Sequence, residues 1–468
     1  MIDIQKIKIM KAILFYIFIV FGNTLFANEG VQIEITAENH RADSIFVSYH
    51  YGKEIVVLDT LWRNENGKFL LASEGDFPIG LYYIGTFSQR KLFPFIITPE
   101  DDHFKLRLDF ANKNNWEVED SKENKIYRHY LLSAAESKRN QNMYKFSRKF
   151  DKRDSVINYL NNLRREYAEQ NKGTLAALII KGEIEWMDPI IENAKGLDKR
   201  GEILDYKIDH FLDNIELNNP ASIRLVNVYQ KLTEYLDRVV HLKPKVVIPK
   251  LDSLLGAMGY KSEMFKYYLP YFEKKYSFAF QPWVDNVYVH LVRKYYNKDI
   301  AYWLTDKEIE RANANADRKE ATLPGKIIPD VTLTDKNDKQ VRLKDIDAEY
   351  MILVFWRPGC SHCRHAMPFL RDFQKKYKKR GVKIVTTCTR QRSDTYRCWD
   401  GVKSEKMEEF DYNLADKSGK TNFLRKYNIG GVPNIFIIDK DKKIITKKVA
   451  PTLLEDKFEE ILSAKSSK

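Results

Sequence analysis

Cysteine is scarce in this chain and confined to one end of it. Four of the 468 residues are cysteine, and none lies before Cys360. A set of structural staples would spread along the chain, whereas Cys360, Cys363, Cys388 and Cys398 crowd into one stretch. A second C-x-x-C or H-x-H group, with which zinc or copper would complete four ligands, is missing, and the ten-residue spacing of Cys388 and Cys398 does not supply one. The chain also lacks a glycine-rich phosphate loop, a repeat of about 34 or 40 residues, and the interleaved aromatic and basic residues of single-strand nucleic-acid binders. Past the N-terminus there is no apolar run of about 18 residues, the length a spanning helix needs. Disorder is excluded by 44% hydrophobic and 13% aromatic content. The length implies two or three domains. Charge of one sign is unevenly placed: residues 323–468 hold 31 Lys and Arg against 20 Asp and Glu, eleven of the thirteen net positive charges. This is either a solvated lysine-rich face or a surface for an anionic partner.

What is present begins with "KIKIMK", then "AILFYIFIVFG", then a small residue at Ala27. A positive segment, a short apolar run and a small-residue end read as a secretory signal peptide over residues 1–27. An uncleaved anchor is the alternative. No cysteine follows the run, which removes lipid attachment at a cysteine. The expected location is the periplasm or cell envelope of a Gram-negative bacterium, where disulfides form and persist.

Residues 28–115 carry short β-branched and aromatic runs ("VQIEIT", "SIFVSYHY", "EIVVLDTLW", "FKLRLDF") separated by turn clusters, which predicts a small antiparallel β-sandwich. Residues 116–320 have helical period, with Val156, Tyr159, Leu160, Leu163 and Tyr167 on one face and Leu225, Val228, Leu232, Leu236 and Val239 on another, so a central α-helical domain and linker is expected. From residue 321 strand and helix patterns alternate: "MILVFW" and "VKIVTTC" as buried strands around an amphipathic helix, then "NIFIID" and "KIITKKV" as a hairpin and a last helix. That order predicts an α/β domain over residues 321–468.

The chemistry lies in "VFWRPGCSHCRHAMPFL", residues 354–370. Cys360 follows a buried strand at the start of a helix, where backbone amides and the macrodipole stabilise a thiolate. Cys363, one turn on, points back into the helix. The pair therefore divides into an exposed attacker and a shielded resolving thiol. His362 beside the attacking sulfur is expected to tune it, and Arg357 and Arg364 add positive charge nearby. Cys388 and Cys398 are candidates for a second disulfide.

This segment resembles the active-site stretch of the thioredoxin superfamily, in its TlpA/ResA-like envelope branch. "IPDVTLTDKNDKQVRLKDI" and "NLADKSGKTNFLRKYNIGGVPNIFIIDKDKKII" extend the resemblance over the last third of the chain. The "NGKF…GLYYI" pattern upstream resembles the β-domain fused ahead of thioredoxin-like domains in Bacteroidetes envelope proteins. The resemblance implies a cis Pro433 facing the cysteines, a Val432 backbone that pairs with a client strand, and Gly431 and Trp356 on the substrate-binding side. Three positions depart from the branch: Gly359 where a Trp often precedes the first cysteine, Ala366 where a Glu follows the second, and Val354 where thioredoxins proper carry a buried Asp. The carboxylates that handle the Cys363 proton are thus missing, leaving His362, His365 or water.

The sequence reads as an exported thiol–disulfide oxidoreductase that uses Cys360 and Cys363 to reduce or exchange disulfides of envelope proteins. No organic cofactor is needed, because the cysteines carry the redox change. The partners expected are protein thiol or disulfide clients and a membrane or periplasmic electron donor, with self-association through the N-terminal or helical region. Branch membership favours a reductase; His362 and the missing carboxylates favour an oxidant or isomerase. A non-catalytic envelope scaffold carrying a thioredoxin-like domain is the other reading.

Overall fold

The structure is a computed structural model that describes residues 30–466 apart from 76, 90–91, 190–195, 243 and 278–280. The segment read as a signal peptide or anchor lies outside the described residues. Among the described residues, no helix is long and apolar enough to cross a membrane. The chain divides into two compact units, the first ending at Tyr235 and the second beginning at Leu236.

The first unit opens with β1 (Gln32–Glu38), β2 (Ser44–Tyr51), β3 (Glu54–Trp62), β4 (Phe69–Ala72), β5 (Gly80–Gly85), β6 (Phe93–Ile97), β7 (His103–Asp109) and β8 (Trp116–Glu119). They form two four-stranded sheets, β4-β1-β7-β8 and β3-β2-β5-β6. Alternating residues of both, Ile33, Ile35, Ile45, Val47, Leu106 and Leu108 among them, share one apolar core, as the period-two patterning requires. The all-antiparallel expectation needs a correction, because β1 pairs parallel with β7. The long intervening chain supplies the crossover that a parallel pair demands. Helix Lys122–Phe146 starts at a Ser121 cap, and Asn124 holds it to β6 by accepting from the Ile96 amide at 2.7 Å and donating to its carbonyl at 2.8 Å.

Helix Phe150–Gln170 buries Ile157, Leu160, Asn161 and Arg164, whereas Tyr159 is 54% exposed. The packed face is therefore rotated from the purely apolar one read in sequence. Arg164 occupies it because Tyr130, Glu183 and Glu185 receive its guanidinium at 3.2, 3.8 and 3.4 Å. The second predicted stripe, Leu225 to Val239, is buried throughout.

The second unit joins four helices, Pro244–Met258, Glu263–Ser277, Val284–Tyr295 and Asp306–Glu320, to a seven-stranded sheet. The stretch 116–320 read as one helical domain thus begins with strand β8, and its helices are shared between two units. A buried charge cluster explains the attachment of its latter part. Asp285 is fully buried and meets Lys319 at 2.8 Å, Lys447 at 2.7 Å and Lys448 at 3.2 Å, so two helices are tied to a sheet strand.

The sheet contains β9 (Thr332–Thr334), β10 (Gln340–Arg342), β11 (Tyr350–Trp356), β12 (Val382–Gln391), β13 (Tyr412–Asp416), β14 (Asn434–Asp439) and β15 (Ile444–Lys447), in the order β10-β9-β13-β12-β11-β14-β15. All seven residues of β11 are buried, which fits its unbroken apolar run. Ile352, Val354 and Trp356 face helix Ser361–Tyr377 through Met367, Leu370 and Phe373. Met351, Leu353 and Phe355 face Leu343, Phe423 and Tyr427 on the opposite side. β11 runs parallel to β12 and antiparallel to β14.

Candidate active site

The site lies at the C-terminal end of β11. The chain leaves the strand through Arg357, Pro358 and Gly359, whose φ of +77° is the left-handed conformation glycine adopts without strain. Cys360 then caps helix Ser361–Tyr377, its Sγ accepting from the Cys363 amide at 3.3 Å. Cys360 is half-buried and Cys363 is 1% exposed; neither is in a disulfide. Burial, and then the hydrogen bond to Cys360, push the Cys363 thiol up to about 12, against the opposing pull of Arg357. Val354, at the position of the buried Asp of thioredoxins proper, and Ala366, at that of the branch's Glu, are both fully buried apolar residues.

Across from the helix start, the Val432–Pro433 peptide is cis and immediately precedes β14. The Cys360 thiol lies 3.7 Å from the Val432 carbonyl, to which it donates. Val432 borders two hollows. One, of about 670 Å³, is lined by His362, His365, Phe369, Val432, Pro433 and Pro451, so His362 and His365 are exposed groove residues. The other, of about 460 Å³, is lined by Arg357, Thr389, Arg390, Ile429, Gly430, Gly431 and Val432. Sequence reasoning does not reach Arg390; its only signal is a basic residue two positions past Cys388 at the end of a buried strand.

Trp356 requires a correction. It was expected on the substrate-binding side, but it is 1% exposed in the core below the site. The inward pleat of β11 places it there, and Gly401 packs so closely that a Cβ would lie 2.8 Å from the indole ring. Cys388, opposite Trp356 in register, forms a disulfide with Cys398 of helix Tyr396–Ser404, with Cα atoms 6.0 Å apart and both residues buried.

A mixed sheet that delivers two cysteines to a helix N-terminus, opposite a cis-proline, defines the class of thioredoxin-like thiol–disulfide oxidoreductases. A redoxin family model matches residues 323–462. A thiol-disulfide oxidoreductase ResA of Bacillus cereus is 32% identical over 130 residues, which are 28% of this chain and 71% of that protein. ResA of Geobacillus kaustophilus is 30% identical over 155 residues, 31% of this chain and 80% of its own length. A thiol:disulfide interchange protein from Bacteroides sp., solved in solution, is 26% identical over 30% of this chain and 90% of its own, with a TM-score of 0.28. Through its C-terminal region the chain belongs to the redoxin family, among the ResA-like thiol–disulfide oxidoreductases.

Proposed function

We propose that the protein is exported and uses Cys360 and Cys363 to reduce disulfides of envelope proteins. The observation that carries this reading is the asymmetry of the pair. Cys360 reaches the surface against the Val432 carbonyl, while Cys363 is buried with its thiol pushed up to about 12. Cys360, as thiolate, attacks one sulfur of a client disulfide. A Cys360–client disulfide forms, and the other client sulfur leaves as thiolate. Cys363 then gives up its proton and attacks Cys360 Sγ, releasing the second client sulfur and leaving a Cys360–Cys363 disulfide. The client has gained two electrons, and a thiol-bearing electron donor of the membrane or periplasm restores the pair. The chain acts without an organic cofactor.

Gly431, Val432 and cis Pro433 hold the client backbone beside Cys360. The apolar groove at His362 and Phe369 takes a flanking side chain. His362 is exposed, so water screens its influence on the sulfur; this favours a reductase over a strong oxidant. The test is the reduction potential of the pair by glutathione equilibration in a C388A/C398A variant. A value near about −270 mV is expected, as for thioredoxin. A value near about −120 mV would assign disulfide donation instead. Absence of a reversible couple would overturn the enzymatic use of these cysteines and leave a scaffold.

A further inference from the structure

The hollow on the far side of Val432 differs in chemistry from the apolar groove. Two guanidinium groups border it. Arg357 is exposed and makes no ion pair among the described residues. Arg390 meets Asp394 at 3.5 Å, and Asp394 is also 4.0 Å from Arg397, so one carboxylate serves two arginines. The Arg390 Nε is buried, while the side chain as a whole is 39% exposed, so its accessible donors are the terminal guanidinium nitrogens. Gly430 and Gly431 border it beside Leu424 and Ile429, and a Cβ on either glycine would meet nothing within 4 Å, so a ligand can approach the main chain there. Neither residue's amide donates to a backbone carbonyl among the described residues.

Forked donors next to free amides match a carboxylate. The place of the hollow says whose carboxylate. Val432 borders it and also contacts the Cys360 sulfur, so a client bonded to Cys360 runs along its rim. Successive residues of an extended client are about 3.3 Å apart, which brings side chains within a few positions of the target cysteine over Arg357 and Arg390. We infer that this pocket receives an Asp or Glu side chain of the client close to the cysteine under attack, and so selects acidic clients. The eleven-charge positive excess of residues 323–468 draws such clients in. The inference rests on the proposed reaction and adds its substrate class.

The test uses two peptides, each with one cysteine as a mixed disulfide with thionitrobenzoate, differing only in Glu or Gln two residues from that cysteine. Attack by Cys360 bonds the peptide sulfur to Cys360 and releases thionitrobenzoate, whose absorbance gives the second-order rate without the Cys363 step. For the full chain the Glu peptide should react about tenfold faster than the Gln peptide at low salt, the ratio shrinking as salt is added. In R390Q, and separately in R357Q, the ratio should fall towards one; because it is a ratio, it does not depend on each variant's overall activity. Equal rates for the two peptides in the unmodified chain, or an undiminished ratio in both variants, overturns the acidic-client pocket and leaves the oxidoreductase reading standing. Failure of Cys360 to react with either peptide overturns both.

Discussion

In the proposed reaction Cys363 must lose a proton to resolve the client complex, and its surroundings resist that loss. With the thiol pushed up to about 12, the thiolate is a very small minority at pH 7. Its hydrogen bond to Cys360 weakens once Cys360 is in a mixed disulfide, but burial, the larger cause, remains. Resolution should therefore accelerate about tenfold per pH unit well past about 8.5, the value of a free cysteine. The assay is stopped-flow reaction of the reduced protein with the disulfide of thionitrobenzoate. A first release reports attack by Cys360 and a second reports resolution by Cys363. Ala366→Glu places a carboxylate one helical turn from Cys363, bordering the groove, and should speed the second release at neutral pH by about 10²-fold, the scale of general base catalysis. A second release that levels off near pH 8.5, or a folded A366E no faster than its parent, would show that the proton leaves by a route this geometry does not contain.

Three further outcomes follow from packing. Asp285→Asn leaves the buried Lys447 without its counter-charge and should cost about 3–5 kcal/mol in urea unfolding. Burial pushes the Asp285 carboxyl up, but Lys447 and Lys319 outweigh it and hold the group below its ordinary value; its contribution is full above about pH 4 and is lost as pH falls through the folded value, so parent and variant should converge in acid. Replacing Cys388 and Cys398 by Ala opens a ten-residue loop and should lower stability by about 3 kcal/mol, with two titratable thiols remaining at Cys360 and Cys363. Gly401→Ala drives a methyl into the Trp356 ring and should cost about 1–3 kcal/mol in thermal or urea melts.

The redox domain was legible because its signals are local: a seven-residue buried strand, a helix period and a Gly-Val-Pro before another strand. The same patterns misplaced Trp356, since an aromatic next to a motif looks the same whether the pleat turns it outward or inward. The face of helix Phe150–Gln170 was misread because apolar period cannot foresee a buried Arg164 met by two glutamates 19 and 21 residues on. The parallel β1–β7 pairing and the Arg357–Arg390 pocket depend on segments far apart in the chain, which no window of sequence joins. The spacing of Cys388 and Cys398 permits a disulfide without requiring one, and the fold closes it by bringing the end of β12 against a helix.

The Asp285 cluster has a bearing on how this protein can be dissected. A cut drawn at the start of the redoxin-like stretch, near residue 321, passes between Asp285 and two of its partner lysines, Lys447 at the end of β15 and Lys448 just after it. A fragment made that way would keep Lys447 and discard the only carboxylate that meets it among the described residues. A fragment that keeps the cluster whole therefore extends beyond the region of family likeness and includes the helices from Val284 to Glu320.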